Sequence, residues 1–222
     1  MVEALGHSQR AIEVAYLANL LEDMAPGKFR ENALAAARSL LAGTGLGRDR
    51  DWLFSVLKQF DDASYVSTAQ AQLIQADGKV DASALRYLQQ ALGEKSVAIA
   101  AQAYADARVT DADNKEPLAR VALNFVGVSE QAEQFFHAAI LDQALKPDHR
   151  RELVEDLNRD GISNGKNPTP DDLNIISRRY SLTQSYLQTD YVQNDKILNA
   201  AFREADKDLR NMLQRAAAKP AK

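Results

Sequence analysis

The stretch NKEPLARVALNFVGVSEQAEQFFHAAI, residues 114–140, carries two apolar stripes of helical period separated by a single glycine. Before the glycine, Leu118, Val121, Ala122 and Phe125 recur at three- and four-residue spacing. After it, Ala132, Phe135, Phe136, Ala139 and Ile140 do the same. Gly127 is free to take the left-handed backbone that ends a helix, and Ser129 is a favoured cap for the next one. Pro117 reads as a first-turn residue, where its missing N–H is not needed, which puts the start of the first helix near Asn114. The segment predicts a helix hairpin, and nothing in it alternates as a strand.

The same grammar extends upstream. Residues 7–24, with Ile12, Tyr16, Leu17, Leu20 and Leu21 on one face, are expected to pair with 27–42, whose stripe is Phe29, Ala33, Ala36, Ala37, Leu40 and Leu41. A second hairpin pairs 49–60 with 63–76. Trp52, Leu53, Val56, Leu57 and Phe60 form its first stripe, so Trp52 is expected to be buried. A third starts at Asp81 or Ser83, carries Leu85, Leu88 and Leu92, turns at Gly93 and returns through Val97, Ala98, Ala101, Tyr104 and Ala105. Hairpin starts near 7, 49, 81 and 114 are about 42, 32 and 33 residues apart, a period at which paired helices stack because none buries its face alone.

Downstream, a helix from Pro147 to about Leu157 precedes a polar segment. Thr169-Pro170-Asp171-Asp172 then gives a helix start of cap, proline and two acids. Leu173, Ile176, Tyr180 and Leu187 are its expected stripe. A last helix, about 193–217, sets Ile197, Leu198, Ala201, Phe202, Ala205, Leu209, Met212 and Leu213 against a charged face of Arg203, Glu204, Asp206, Lys207, Asp208 and Arg210. The expected division is a hairpin array over 1–146 and a C-terminal unit over 147–222 that ends in a long helical hairpin.

Over residues 7–145 the hairpin lengths and stripes resemble HEAT-type α-helical repeats. The Trp, Gly, Tyr and Pro positions of tetratricopeptide repeats and the ankyrin Thr-Pro-Leu-His motif are missing. The resemblance implies an all-α chain of stacked antiparallel hairpins, an α-solenoid, acting as a non-catalytic scaffold or interaction module. A closed irregular bundle is the competing architecture.

Composition narrows the function. A net charge of −4 and a pI near 5.5 argue against a dedicated nucleic-acid binder, and there is no basic block. No run approaches the ~20 apolar residues of a membrane span, so membrane insertion is not expected. With no cysteine, disulfides and thiolate chemistry are excluded. The start, Met1-Val2-Glu3-Ala4, lacks the features of a signal peptide; the expectation is a cytoplasmic protein, with an exported mature domain as the alternative.

The sharpest local motif is Asp156-Leu-Asn158-Arg-Asp160-Gly161-Ile-Ser-Asn164. It resembles an EF-hand or dockerin loop, which implies Asp156, Asn158, Asp160 and Asn164 as calcium ligands and a calcium-stabilised module as one alternative. Position twelve is Asn167 instead of the bidentate Glu, and Pro168 bars an exiting helix, so the preferred reading is a polar connection without cofactor. No metal-binding, nucleophile-elbow, phosphate-loop or dinucleotide motif occurs, so no catalytic residue is assigned. A helical enzyme with a site assembled between helices is the other alternative. Asp171-Asp172 lacks the third acid such sites carry, having Ile175 there. The partner expected is a protein or peptide, with Gln102, Gln131 and Gln134 on the array and Tyr180, Tyr186 and Tyr191 near the last turn as candidate contacts.

Overall fold

The computed structural model describes residues 27–42, 49–60, 62–159 and 169–217. The expected 7–24 helix lies outside the described residues, as do Asp160 and Asn164. Among the described residues the chain is helical without strands; one isolated antiparallel bridge joins Ile74 and Val80 across the turn at Gly78, whose φ is 84°. Contacts divide the chain into two units, Met1–Ser96 and Val97–Lys222, so residue 146 lies inside the second.

In the first unit the helices are α1 (Lys28–Leu41), α2 (Asp49–Gln59), α3 (Val66–Gln72) and α4 (Ala82–Leu92). Two of these starts have a local cause in side-chain capping. Asp62 accepts the Ser64 amide ahead of a 3-10 turn leading into α3, and Asp81 accepts the amides of Ser83 and Ala84 to cap α4. The pairing differs from simple consecutive hairpins: α2 packs mainly on α1 and α4, and α3 packs on α4. The seven-residue α3 is too short to cover α2. The core is Ala33, Ala37 and Leu41 of α1, Leu53, Val56 and Leu57 of α2, and Ala84, Leu85 and Leu88 of α4.

Trp52 is not in that core. It is 49% exposed, because the buried arc of α2 is centred on Leu53 and Leu57 with Phe54 and Val56 on its flanks, and Trp52 stands about 40° beyond Val56, outside that arc. Phe60, placed on the same stripe, is half-buried.

The second unit holds α5 (Ser96–Tyr104, starting at the division), α6 (Ala112–Leu123), α7 (Glu130–Leu141), α8 (Pro147–Glu155), α9 (Pro170–Leu187), α10 (Asp190–Asn194) and α11 (Lys196–Ala217). α5 buries Val97, Ala100, Ala103 and Tyr104, leaving Ala98 and Ala105 exposed. α6 and α7 pair as expected. α6 starts earlier than expected, capped by Asp111, so Pro117 sits inside the helix. Gly127 has a φ of 90°, as the turn requires.

The Thr169 cap and the Asp172 carboxylate form a reciprocal capping box at the head of α9. The buried face of α9 is Asp172, Ile176, Arg179, Thr183 and Tyr186; Leu173, Tyr180 and Leu187 are half-buried. α11 lies on both α8 and α9, not on a single neighbour. That double contact buries Asp206, which accepts from Gln184 and Arg210, within the face expected to be solvated. Ile197, expected in the stripe, is 42% exposed.

Candidate functional site

α2 and α4 run parallel. Near their starts Arg50 Nε pairs with Asp81 at 3.0 Å and the Ser83 hydroxyl donates to Asp51 at 2.6 Å; near their ends the Tyr87 hydroxyl donates to the Asp62 carbonyl at 2.5 Å. Between the helices lie two hollows of about 130 Å³ and 90 Å³ that share Lys58, Tyr87 and Gln90. The first is also lined by Asp51, Phe54, Ser55, Ser83 and Arg86, and the second by Leu57, Asp62, Ala63 and Ala91.

An aromatic cluster fixes the floor. Phe54 stacks on Tyr87 with centroids 5.1 Å apart, and the Tyr65 ring packs edge-on against both. The Arg50 guanidinium lies 5.6 Å from the Phe54 centroid and donates to Gln72 at 2.7 Å. Burial and the nearby Asp62 charge push the Tyr87 hydroxyl up to about 12, so it remains a neutral donor.

The groove's charges are unequally matched. Arg38 holds the Asp62 carboxylate at 2.5 Å. Burial raises that carboxyl, but bonds from Ser64 and from Arg38 outweigh it and keep it below its ordinary value. Asp51 pairs with Arg86 at 3.6 Å, both side chains being about half exposed or more. Lys58 is exposed and has no carboxylate within 4 Å among the described residues.

The residues expected from the sequence lie elsewhere. Asp156 is engaged by Arg120 at 2.5 Å and Arg159 at 3.5 Å; Asn158 is buried and donates to Asp208 at 2.7 Å. Among the described residues no three acids or histidines group as a metal site, and no helix is long and apolar enough to cross a membrane.

Gln102, Gln131 and Gln134 are exposed, the last donating to Glu130 one turn back at 3.1 Å. Tyr186 is buried, stacked on Phe202 at 4.8 Å and in contact with His137, whose Nδ1 is 3.1 Å from its hydroxyl. Tyr191 is half-buried beside it, with ring centroids 6.3 Å apart. Tyr180 belongs to another contact, beneath the Arg210 guanidinium. The three tyrosines therefore form no single patch.

Motif searching missed Lys58, Arg86 and Tyr87 because none belongs to a signature. A positional signal was present. Asp51 and Ser83, Ser55 and Tyr87, and Lys58 and Gln90 are each 32 positions apart, the spacing of the hairpins that start near 49 and 81.

No protein family matches the chain, no curated protein is similar to it, and no solved structure matches it.

Proposed function

We propose that the chain is a non-catalytic interaction module, a HEAT-like helical array that holds a protein or peptide partner along the groove between α2 and α4. The observation that carries this reading is the groove itself: two parallel helices present equivalent positions, 32 residues apart, around two adjoining hollows. Solenoids present concave binding surfaces through such equivalent helices of successive units. Small-molecule pockets run to roughly 300–1,000 Å³. Hollows of about 90 and 130 Å³ suit individual side chains of a longer ligand better. Exposed Gln102, Gln131 and Gln134 offer a second surface for the same kind of partner.

Neither alternative gains support from its candidate residues. The Asp156 carboxylate is paired with Arg120 and Arg159, Asn158 donates from Nδ2 to Asp208 while its buried Oδ1 has no hydrogen-bond partner among the described residues, and the Asp172 carboxylate is occupied at the Thr169 cap.

The test is selection of a fully randomised peptide library against the whole chain, followed by amide chemical-shift mapping of the selected peptides. Shifts concentrated at Ser55, Lys58, Arg86 and Gln90 are expected. Failure to select any peptide, or shifts confined to other helices, rejects the groove as the partner site.

A further inference from the structure

We infer that the α2–α4 groove takes an acidic peptide segment, with a Glu or Asp side chain of the ligand seated between Lys58 and Arg86 above Tyr87; this rests on the groove being the partner site.

Charge in the groove is left unmatched. Asp62 is neutralised by Arg38, and Asp51 already has the Ser83 hydroxyl and Arg86 beside it. Lys58 lines both hollows, one with Asp62 and the other with Asp51, yet has no carboxylate within 4 Å among the described residues. The charge left uncompensated in the groove is therefore positive. An apolar segment laid over it would strip water from an ammonium without replacing the lost hydrogen bonds, a cost that grows with burial. A basic segment would add like-charge repulsion. A carboxylate restores the bonds and makes them charge-assisted.

Arg86 strengthens the case. Its contact with Asp51 is 3.6 Å long and the side chains are 63% and 48% exposed, so the pair is weak and the guanidinium keeps donors for an incoming carboxylate. The Gln90 amide, exposed on the next turn of α4, adds an uncharged donor at the point where the hollows meet. Phe54 and Tyr87 beneath supply an apolar floor for the aliphatic part of the acid.

The experiment uses the full chain and three nonapeptide libraries that differ only at three fixed positions: Glu/Asp, Lys/Arg or Gln/Asn. Selected clones are measured by fluorescence anisotropy. Enrichment of the acidic library is expected, with affinity falling as salt rises. The Lys58→Gln/Arg86→Gln double variant should weaken the acidic clones at least tenfold. Asp51→Asn frees Arg86 and should tighten them about two- to fivefold, the range set by an exposed ion pair; a folding defect would not produce that gain. Neutral or basic clones that shift the Lys58 and Gln90 amides would overturn the acidic ligand and leave the groove standing. Acidic clones indifferent to all three substitutions would overturn the inference, because their site lies elsewhere. No binding at the groove from any library would overturn both readings.

Discussion

The side chain of Arg179, fully buried on α9, donates from Nε to the carbonyl oxygen of Val126 at 2.7 Å. Its Nη1 reaches the Leu157 carbonyl at 2.6 Å and its Nη2 the Leu123 carbonyl at 2.5 Å. Leu123 ends α6 and Leu157 lies in the 3-10 turn after α8, so one guanidinium serves the ends of two helices whose last carbonyls have no partner of their own. The negative ends of those helices also favour a cation there.

Arg179→Met keeps most of the volume and strands the carbonyls. It should destabilise the second unit by about 3–5 kcal/mol, since each unsatisfied buried group costs roughly 1–3. Arg179→Lys should recover only part, an ammonium being unable to span the same fork. Urea denaturation with both variants checks this, and a neutral Arg179→Met would refute the shared cap.

Gly127 makes the approach of α9 possible. A Cβ there would stand 3.0 Å from the Ile175 carbonyl oxygen and 3.2 Å from Arg179 Cγ, on a backbone with φ of 90°. Gly93 also has positive φ, 54°, but nothing within 4 Å of its would-be Cβ. Gly127→Ala should therefore carry a steric cost that Gly93→Ala lacks, the penalty at Gly93 being the backbone strain of about 1–3 kcal/mol alone. Equal losses would mean that α9 yields without strain.

For α2 the expected order of damage is set by burial, not by side-chain size. Trp52→Ala should change stability by less than about 1 kcal/mol, whereas Leu53→Ala, at a fully buried site, should cost about 2–5. Thermal melts of the two variants decide between this packing and one in which Trp52 is covered.

These cases mark where sequence reading succeeds and where it stops. Helix class, the Gly127 turn and the Thr169–Asp172 box are local, set by period and cap chemistry, and were legible. The centre of each stripe was less so: tryptophan weighs heavily in any apolar pattern, yet 100° of helix rotation separates Trp52 from Leu53. The role of Arg179 is not legible locally, because the carbonyls that hold it come from 22 to 56 residues away in sequence. The groove of Lys58 and Arg86 was equally hidden. It depends on α2 and α4 lying side by side, which the expected pairing of 49–60 with 63–76 did not foresee.

Asp142 ties α7 to its surroundings and makes the second unit acid-sensitive. Burial raises its carboxyl, but the Ala144 amide, the Tyr104 hydroxyl at 2.8 Å and the Lys115 ammonium at 3.0 Å outweigh that and hold it below its ordinary 3.8. A carboxyl depressed in the folded state contributes stability that is present above the unfolded value and is lost as pH falls through the folded one. Stability should therefore decline on acidification from about pH 5 downward, and Asp142→Asn should lower stability at neutral pH while flattening that decline. Denaturation midpoints between pH 7 and 2.5 provide the check. An unchanged acid limb in the variant would assign the loss to other carboxylates.

The final helix should be structural first. α11 buries Leu198, Ala201, Phe202, Ala205 and Leu209 against α8 and α9, with Phe202 stacked on Tyr186 and Asp208 accepting from Asn158. Truncation after Thr189 would uncover apolar surface on two helices at once, including Leu153, Val154 and Ile176. The shortened chain should aggregate or lose cooperative unfolding, and Phe202→Ala alone should cost about 3–5 kcal/mol. Analytical ultracentrifugation and denaturation of the truncated chain test this directly. The opposing outcome is specific: a truncated chain that stays monomeric and equally stable, but no longer binds its partner, would make α11 a docking element and not the cover of α8 and α9.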